Sequence, residues 1–184
     1  MESDRVDLAR EIYRVCRITG RFRLRSGSVS LEYFDKYLFE SDPRLLMQIG
    51  LHLGKLLPPE AQVLAGLELG GIALATVLSQ IIGLPLVQVR KKAKEYGTCK
   101  QVEGCAVEGQ NVVIVEDVVT SGGQIIESAG VLRQLGATIV AVVCVVDRES
   151  GAAENLTREG LPFHALFRMS ELKVAMGFGQ QRPT

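Results

Sequence analysis

VVIVEDVVTSGGQIIESAGVLRQLGA, residues 112–137, is the stretch that decides the fold. The segment NVVIV (111–115) is apolar at almost every position, which suits a strand covered on both faces, as in a parallel sheet flanked by helices. Glu116 and Asp117 stand at its exit, and Thr120-Ser121-Gly122-Gly123 then turns directly into a helix expected from about Gly123 to Leu135 and closed by Gly136. Small residues let the backbone amides of Thr120, Ser121, Gly122, Gly123 and Gln124 surround an anion. The two hydroxyls add donors, and the helix N-terminus adds partial positive charge, so the turn is a candidate phosphate cradle. Two carboxylates are wrong for phosphate but right for accepting hydrogen bonds from sugar hydroxyls or for reaching a hydrated metal ion. Phosphate and sugar together point to a ribose 5-phosphate.

The same strand, turn, helix rhythm recurs on either side. VLAG (63–66) precedes a helix-like segment from Ile72 to Ile82, LVQV (86–89) leads into a basic loop, and IVAVVCVV (139–146) follows the central helix. Apolar strands alternating with helices define an α/β, doubly wound sheet, mostly parallel, whose ligands bind beyond the carboxyl ends of the strands. Before this core, Val6, Ala9, Ile12, Tyr13 and Cys16 share one face of a helix expected over 4–18 and ended by Gly20. Residues 22–40 read as short strands around a turn at Ser26 and Gly27. Asp42 and Pro43 open a second helix with Leu45, Leu46, Ile49, Leu53 and Leu56 on its apolar face, stopped by Pro58-Pro59.

A chain of 184 residues holds one domain with a real core. Lys plus Arg and Asp plus Glu both number 21, so no global field draws the protein to nucleic acid or to an anionic membrane. The apolar runs fall short of the roughly 18 residues of a membrane span, and the charged start MESDRVDLAREIYRV is unlike a secretory signal, so a cytoplasmic location is expected. Cys16, Cys99, Cys105 and Cys144 lack metal-binding spacing and read as reduced thiols; His52 and His164 read as structural.

Positive charge is concentrated locally. Between 90 and 100, Arg90, Lys91, Lys92, Lys94 and Lys100 face a single acid, Glu95, in a segment flanked by Gly97 and Gly104 and read as a mobile loop. Such a loop can close over a substrate and bring cations to a developing negative charge.

The apolar strand, acidic pair, two apolar residues and Thr-x-Gly of 112–122 resemble the phosphoribosyl-pyrophosphate (PRPP) motif of type I phosphoribosyltransferases. There is no dinucleotide G-x-G-x-x-G, and Ile72 stands where a Walker loop needs lysine. RKKAKEYG (90–97) is similar to the catalytic loop of the orotate phosphoribosyltransferases. GRFRLRSGSVSLEYFDKY (20–37), LAGLELGGIALA (64–75) and VVDRESG (145–151) resemble that family's N-terminal segment, pyrophosphate loop and Asp-Arg-x-x-Gly element, in the family's order.

The resemblance implies a phosphoribosyltransferase domain with a core of about 41–150 and a small hood from about 18–40 and 160–172. Its substrates would be PRPP and orotate, with Mg²⁺ held mainly through PRPP and by no direct protein ligand. It assigns catalysis to Arg90, Lys91, Lys94 and Asp117. PRPP contacts fall to Glu116, Asp117, Val118, Val119, Thr120, Ser121, Gly122, Gly123 and Gln124, joined by Arg90, Lys91, Lys94 and Tyr96. Orotate contacts fall to Arg148, Thr120 and Arg25. A homodimer is implied, with the loop shared between subunits. Two positions depart from the family pattern: Tyr96 stands where His is frequent, and Gly70 where some members carry Lys. The other readings are a phosphoribosyltransferase for another base, which should lack the RKxAK and DRxxG elements, and a PRPP-sensing regulator, which needs a basic face this neutral chain lacks.

Overall fold

The structure is a computed structural model that describes residues 2–23, 27–95, 97 and 99–178. Ser26, Arg25, Tyr96 and the tail 179–184, to which the sequence attached expectations or none, lie outside the described residues. Helix α1 spans Glu2–Cys16, and Gly20, expected to end it, lies inside strand β1 (Arg17–Arg23) instead. Strand β1 pairs antiparallel with β2 (Val29–Phe34) in a separate two-stranded ribbon. Helix α2 (Tyr37–Ser41) has no counterpart in the sequence reading, because its five residues are too few to display a period. Helix α3 (Pro43–Leu53) starts as expected: the Asp42 carboxylate accepts from the amides of Arg44 and Leu45 at 2.9 and 3.0 Å, and Pro43 occupies the first turn.

The core strands are β3 (Val63–Leu67), β4 (Leu86–Val89), β5 (Val102–Gly104), β6 (Asn111–Val119), β7 (Thr138–Asp147) and β8 (Phe163–Arg168). They lie in the order β5-β4-β3-β6-β7-β8, parallel throughout except for β5, which runs antiparallel beside β4. Part of the segment read as one mobile loop is therefore an edge strand. Residues 160–172, expected in the hood, supply β8, which pairs with β7 at the edge of the core sheet, and most of α7 (Met169–Ala175), whose Met169 and Lys173 line a cleft with the β1–β2 ribbon.

Alternate residues of each strand feed two separate cores. Leu64, Val113, Val115, Val143 and Val145 pack with α1, α3 and α4 (Gly70–Ile82) on one face. Val63, Ala65, Val112, Ile114 and Val142 pack with α5 (Gly123–Gln134) and α6 (Ala152–Arg158) on the other. Double coverage explains the uninterrupted apolar strands, each fully buried Val, Leu or Ile contributing roughly 1.5–3 kcal/mol. From β3 the chain steps outward to β4 on one side, and from β6 to β7 and β8 on the other. The order thus reverses between β3 and β6, and a crevice opens where their carboxyl ends part.

Candidate active site

A cleft of about 290 Å³ occupies that crevice, lined chiefly by Glu68 and Leu69 after β3, residues 116–125 at the end of β6, Lys36 and Lys91. Strand β6 runs on to Val119, so Glu116 and Asp117, placed by the sequence at the strand exit, are inside the strand and buried, at 8% and 0% exposure. Extra ladder pairing explains it: Val118 and Val119 lie opposite Val146 and Asp147 of β7.

The turn is built for an anion. Thr120, Ser121 and Gly123 are exposed, and Gly122 takes the left-handed conformation (φ 79°) that swings the chain into α5, a conformation costly for any other residue type. Gly122, the N-cap of α5, has no side chain to cap it, so the first amides of the helix stay available to a ligand. Asn155 steadies the turn by donating to the Ser121 carbonyl at 2.9 Å. Gln124 donates from Nε2 to the Glu68 carbonyl at 3.1 Å, tying the cradle to the loop after β3. That loop, with a cis Glu68–Leu69 peptide, passes close to the sheet because Gly71 presses on the Val115 carbonyl and admits no Cβ.

The acids are tightly engaged. Glu116 accepts from the Asp117 amide at 3.0 Å, while Asp117 accepts from the Val118 amide through Oδ1 and from Lys36 Nζ through Oδ2. Burial, reinforced by the charge of Asp117, pushes the Glu116 carboxyl well above its ordinary value. Glu40 of α2 closes the group from below. Burial and then the facing Asp117 carboxylate push it up to about 8, so Glu40 holds a proton at neutral pH. Among the described residues, the buried Glu40 Oε1 has no hydrogen-bond donor.

The cations predicted from the loop separate. Lys91 lines the cleft, its amide donating to the Glu68 carboxylate at 3.1 Å. Arg90 and Lys94 line an adjoining cleft of about 330 Å³ with Glu68, Gln88 and Glu103, and Lys94 Nζ is paired with Glu103 at 2.5 Å. The loop is folded back on itself, with the Arg90 amide on the Gln101 carbonyl and the Gln101 side chain on the Arg90 carbonyl, at 2.9 and 3.1 Å. Arg148 is exposed and lines a third cleft, about 250 Å³, formed with the β1–β2 ribbon, α1 and α7. Its amide donates to the Val119 carbonyl at 2.8 Å, so this cleft and the cradle flank the same strand end. Arg148 and Thr120 line different clefts, and Arg25 and Tyr96 lie outside the described residues. Lys36 and Glu40 were missed; the available signal was their i, i+4 spacing beside Asp42-Pro43, which places both on one face of a short helix. All four cysteines are free. Among the described residues no helix is long and apolar enough to cross a membrane.

A phosphate cradle and a buried acidic pair at the switch point of a doubly wound sheet are the parts of a phosphoribosyltransferase, and the family model described as "Phosphoribosyl transferase domain" matches residues 49–159. Among curated proteins the chain is 46% identical over 172 residues to an orotate phosphoribosyltransferase of Nocardioides sp., covering 94% of this chain and 96% of that one. Solved structures of Mycobacterium tuberculosis H37Rv orotate phosphoribosyltransferase superpose on it. The inorganic phosphate complex has TM-score 0.82 and 31% identity, and the PRPP complex TM-score 0.79 and 30% identity, each covering 92% of this chain and 98% of that one. The chain belongs to the orotate phosphoribosyltransferase family.

Proposed function

We propose that this chain transfers the 5-phosphoribosyl group of PRPP to orotate, giving orotidine 5′-monophosphate and pyrophosphate in pyrimidine biosynthesis. The observation that carries the reading is the uncapped turn 120–124 beside the buried pair Glu116–Asp117, at the point where β3 and β6 diverge. In this reading the 5-phosphate sits on the amides and hydroxyls of Thr120 to Gln124. The ribose hydroxyls lie over Glu116 and Asp117, and the diphosphate extends toward Lys91 and the loop from Glu68 to Gly71. The bond from C1 to the diphosphate oxygen breaks and its electron pair leaves with pyrophosphate. The base nitrogen then bonds to C1 and its proton is released. Positive charge grows on the ring beside Asp117 while negative charge grows near Lys91, so opposite charges in the wall stabilise both developments. Orotate enters from the side of Arg148, whose guanidinium can grip its carboxylate in a two-pronged bond.

Mg²⁺ belongs to the same proposal. The oxygen-rich lining of the cleft suits a hydrated Mg²⁺ held mainly through the phosphate oxygens of PRPP, with no protein ligand bound to it directly. When bound it neutralises charge on the departing pyrophosphate. A homodimer in which Arg90 and Lys94 serve the neighbouring cleft is also proposed; it accounts for their lining a different cleft from Lys91 within one subunit. The test is direct: orotate absorbance falls when PRPP and Mg²⁺ are added, and purine bases do not substitute. A folded protein that leaves the orotate signal unchanged would overturn the assignment.

A further inference from the structure

Asp117 as it stands has no face open to a sugar. Its side chain is 0% exposed, with Oδ1 taken by the Val118 amide and Oδ2 by the Lys36 ammonium. Lys36 is the lid on that carboxylate as seen from the cleft: its side chain is 30% exposed and lines the cleft directly. Burial alone would lower the Lys36 pKa, but the hydrogen bond and charge of Asp117 outweigh it and hold the ammonium firmly charged.

The loop beneath offers no rival cation. Residues 67–71, LELGG, contain no basic side chain, and at Gly70 even a Cβ would collide with Asp117 Oδ2 and Glu40 Oε1. Among the described residues lining the cleft, the cations are Lys36 and Lys91. A donor carrying both a sugar diol and a diphosphate therefore meets a carboxylate it needs, covered by an ammonium it also needs.

We propose that Lys36 exchanges partners when PRPP binds: its ammonium leaves Asp117 for the diphosphate, and the uncovered carboxylate accepts the ribose hydroxyls. A compact charge on a flexible four-carbon stem suits such a swing, and it trades one anion for another, so no charge is left bare. The exchange makes diphosphate binding and sugar binding depend on each other, so a ligand with only one of the two parts leaves the lid closed.

This inference rests on the function proposed above, and two ligands separate the two. Ribose 5-phosphate has the phosphate and the diol; PRPP adds the diphosphate. Both are titrated calorimetrically, with Mg²⁺, into wild type, Lys36→Gln (which can still donate to Asp117) and Lys36→Arg. The preference of wild type for PRPP over ribose 5-phosphate is expected to fall about tenfold or more in Lys36→Gln and to be largely kept in Lys36→Arg, with ribose 5-phosphate affinity changed less than about threefold in both. Equal weakening of both ligands, or none, overturns the exchange while leaving the function intact. A wild type that binds no PRPP overturns both. Should Lys36→Gln fail to fold, an experimental structure of the wild type with PRPP decides the matter: Lys36 Nζ on the diphosphate supports the exchange, and Nζ still on Asp117 refutes it.

Discussion

Gly66→Ala and Gly130→Ala make the same chemical change and are expected to have opposite effects. A Cβ on Gly66, in the middle of β3, would stand 2.7 Å from the Gly71 carbonyl oxygen, 2.8 Å from Ile72 Cα and 2.9 Å from Ala75 Cβ, all on α4. Ordinary contact begins near 3.4 Å, so α4 must lift by about 0.5–0.7 Å, and because the obstacles include backbone no rotamer change relieves them. Overpacking of this kind costs about 1–3 kcal/mol. In a domain of this size that lowers Tm by about 2–4 °C per kcal/mol. Lifting the start of α4 also moves the loop from Glu68 to Gly71 against Asp117. Since a misplacement of about 1 Å can cost 10²-fold, kcat/KM for PRPP is expected to fall about tenfold. Gly130, inside α5, has nothing within 4 Å of its Cβ position, and alanine there removes the entropic penalty of a helical glycine, raising stability by about 0.5–1 kcal/mol with unchanged kinetics. Thermal melts and initial rates on the two variants check this. A Gly66→Ala protein as stable and active as wild type would refute the argument that this helix and strand meet through glycine alone.

Arg148→Ala should raise KM for orotate about tenfold or more while leaving KM for PRPP within about twofold, read from initial rates with each substrate varied, because Arg148 lines the cleft beside the ribbon and not the phosphate cradle. Mixing inactive Lys94→Ala chains with inactive Asp117→Asn chains should restore part of the activity if the loop serves the neighbouring subunit; no recovery in demonstrably mixed dimers would refute sharing. Glu40 makes stability depend on pH. Its pKa lies near 8 in the folded chain against 4.5 for the free group, so the folded state binds more protons in between. Its contribution to stability is complete below about pH 4.5 and is lost as pH rises toward 8. The Tm of wild type relative to Glu40→Gln should therefore decline between pH 5 and 8, and a constant difference would show that Glu40 carries no proton there.

What the sequence alone determined was whatever depends on local pattern. The runs at 63–66, 86–89, 111–115 and 139–146 could be read as buried parallel strands because two-sided coverage leaves an uninterrupted apolar signature, and 120–124 as a cradle because small residues ahead of a helix expose its amides. Asp42-Pro43 announced α3 for the same reason: a cap acts on the residues just after it. The tertiary structure decided everything that rests on partners distant in the chain. Lys36 and Asp117 lie eighty-one residues apart, and only the packing of α2 over the end of β6 turns a solvated acid into a covered one. Pairing with β7 carries β6 past its acids to Val119, and pairing with β4 makes a strand of 102–104, neither of which a local window contains. Gly70 looked like a lost lysine in the sequence. In the folded chain it is the floor beneath two carboxylates, a role fixed by space, which pattern does not record.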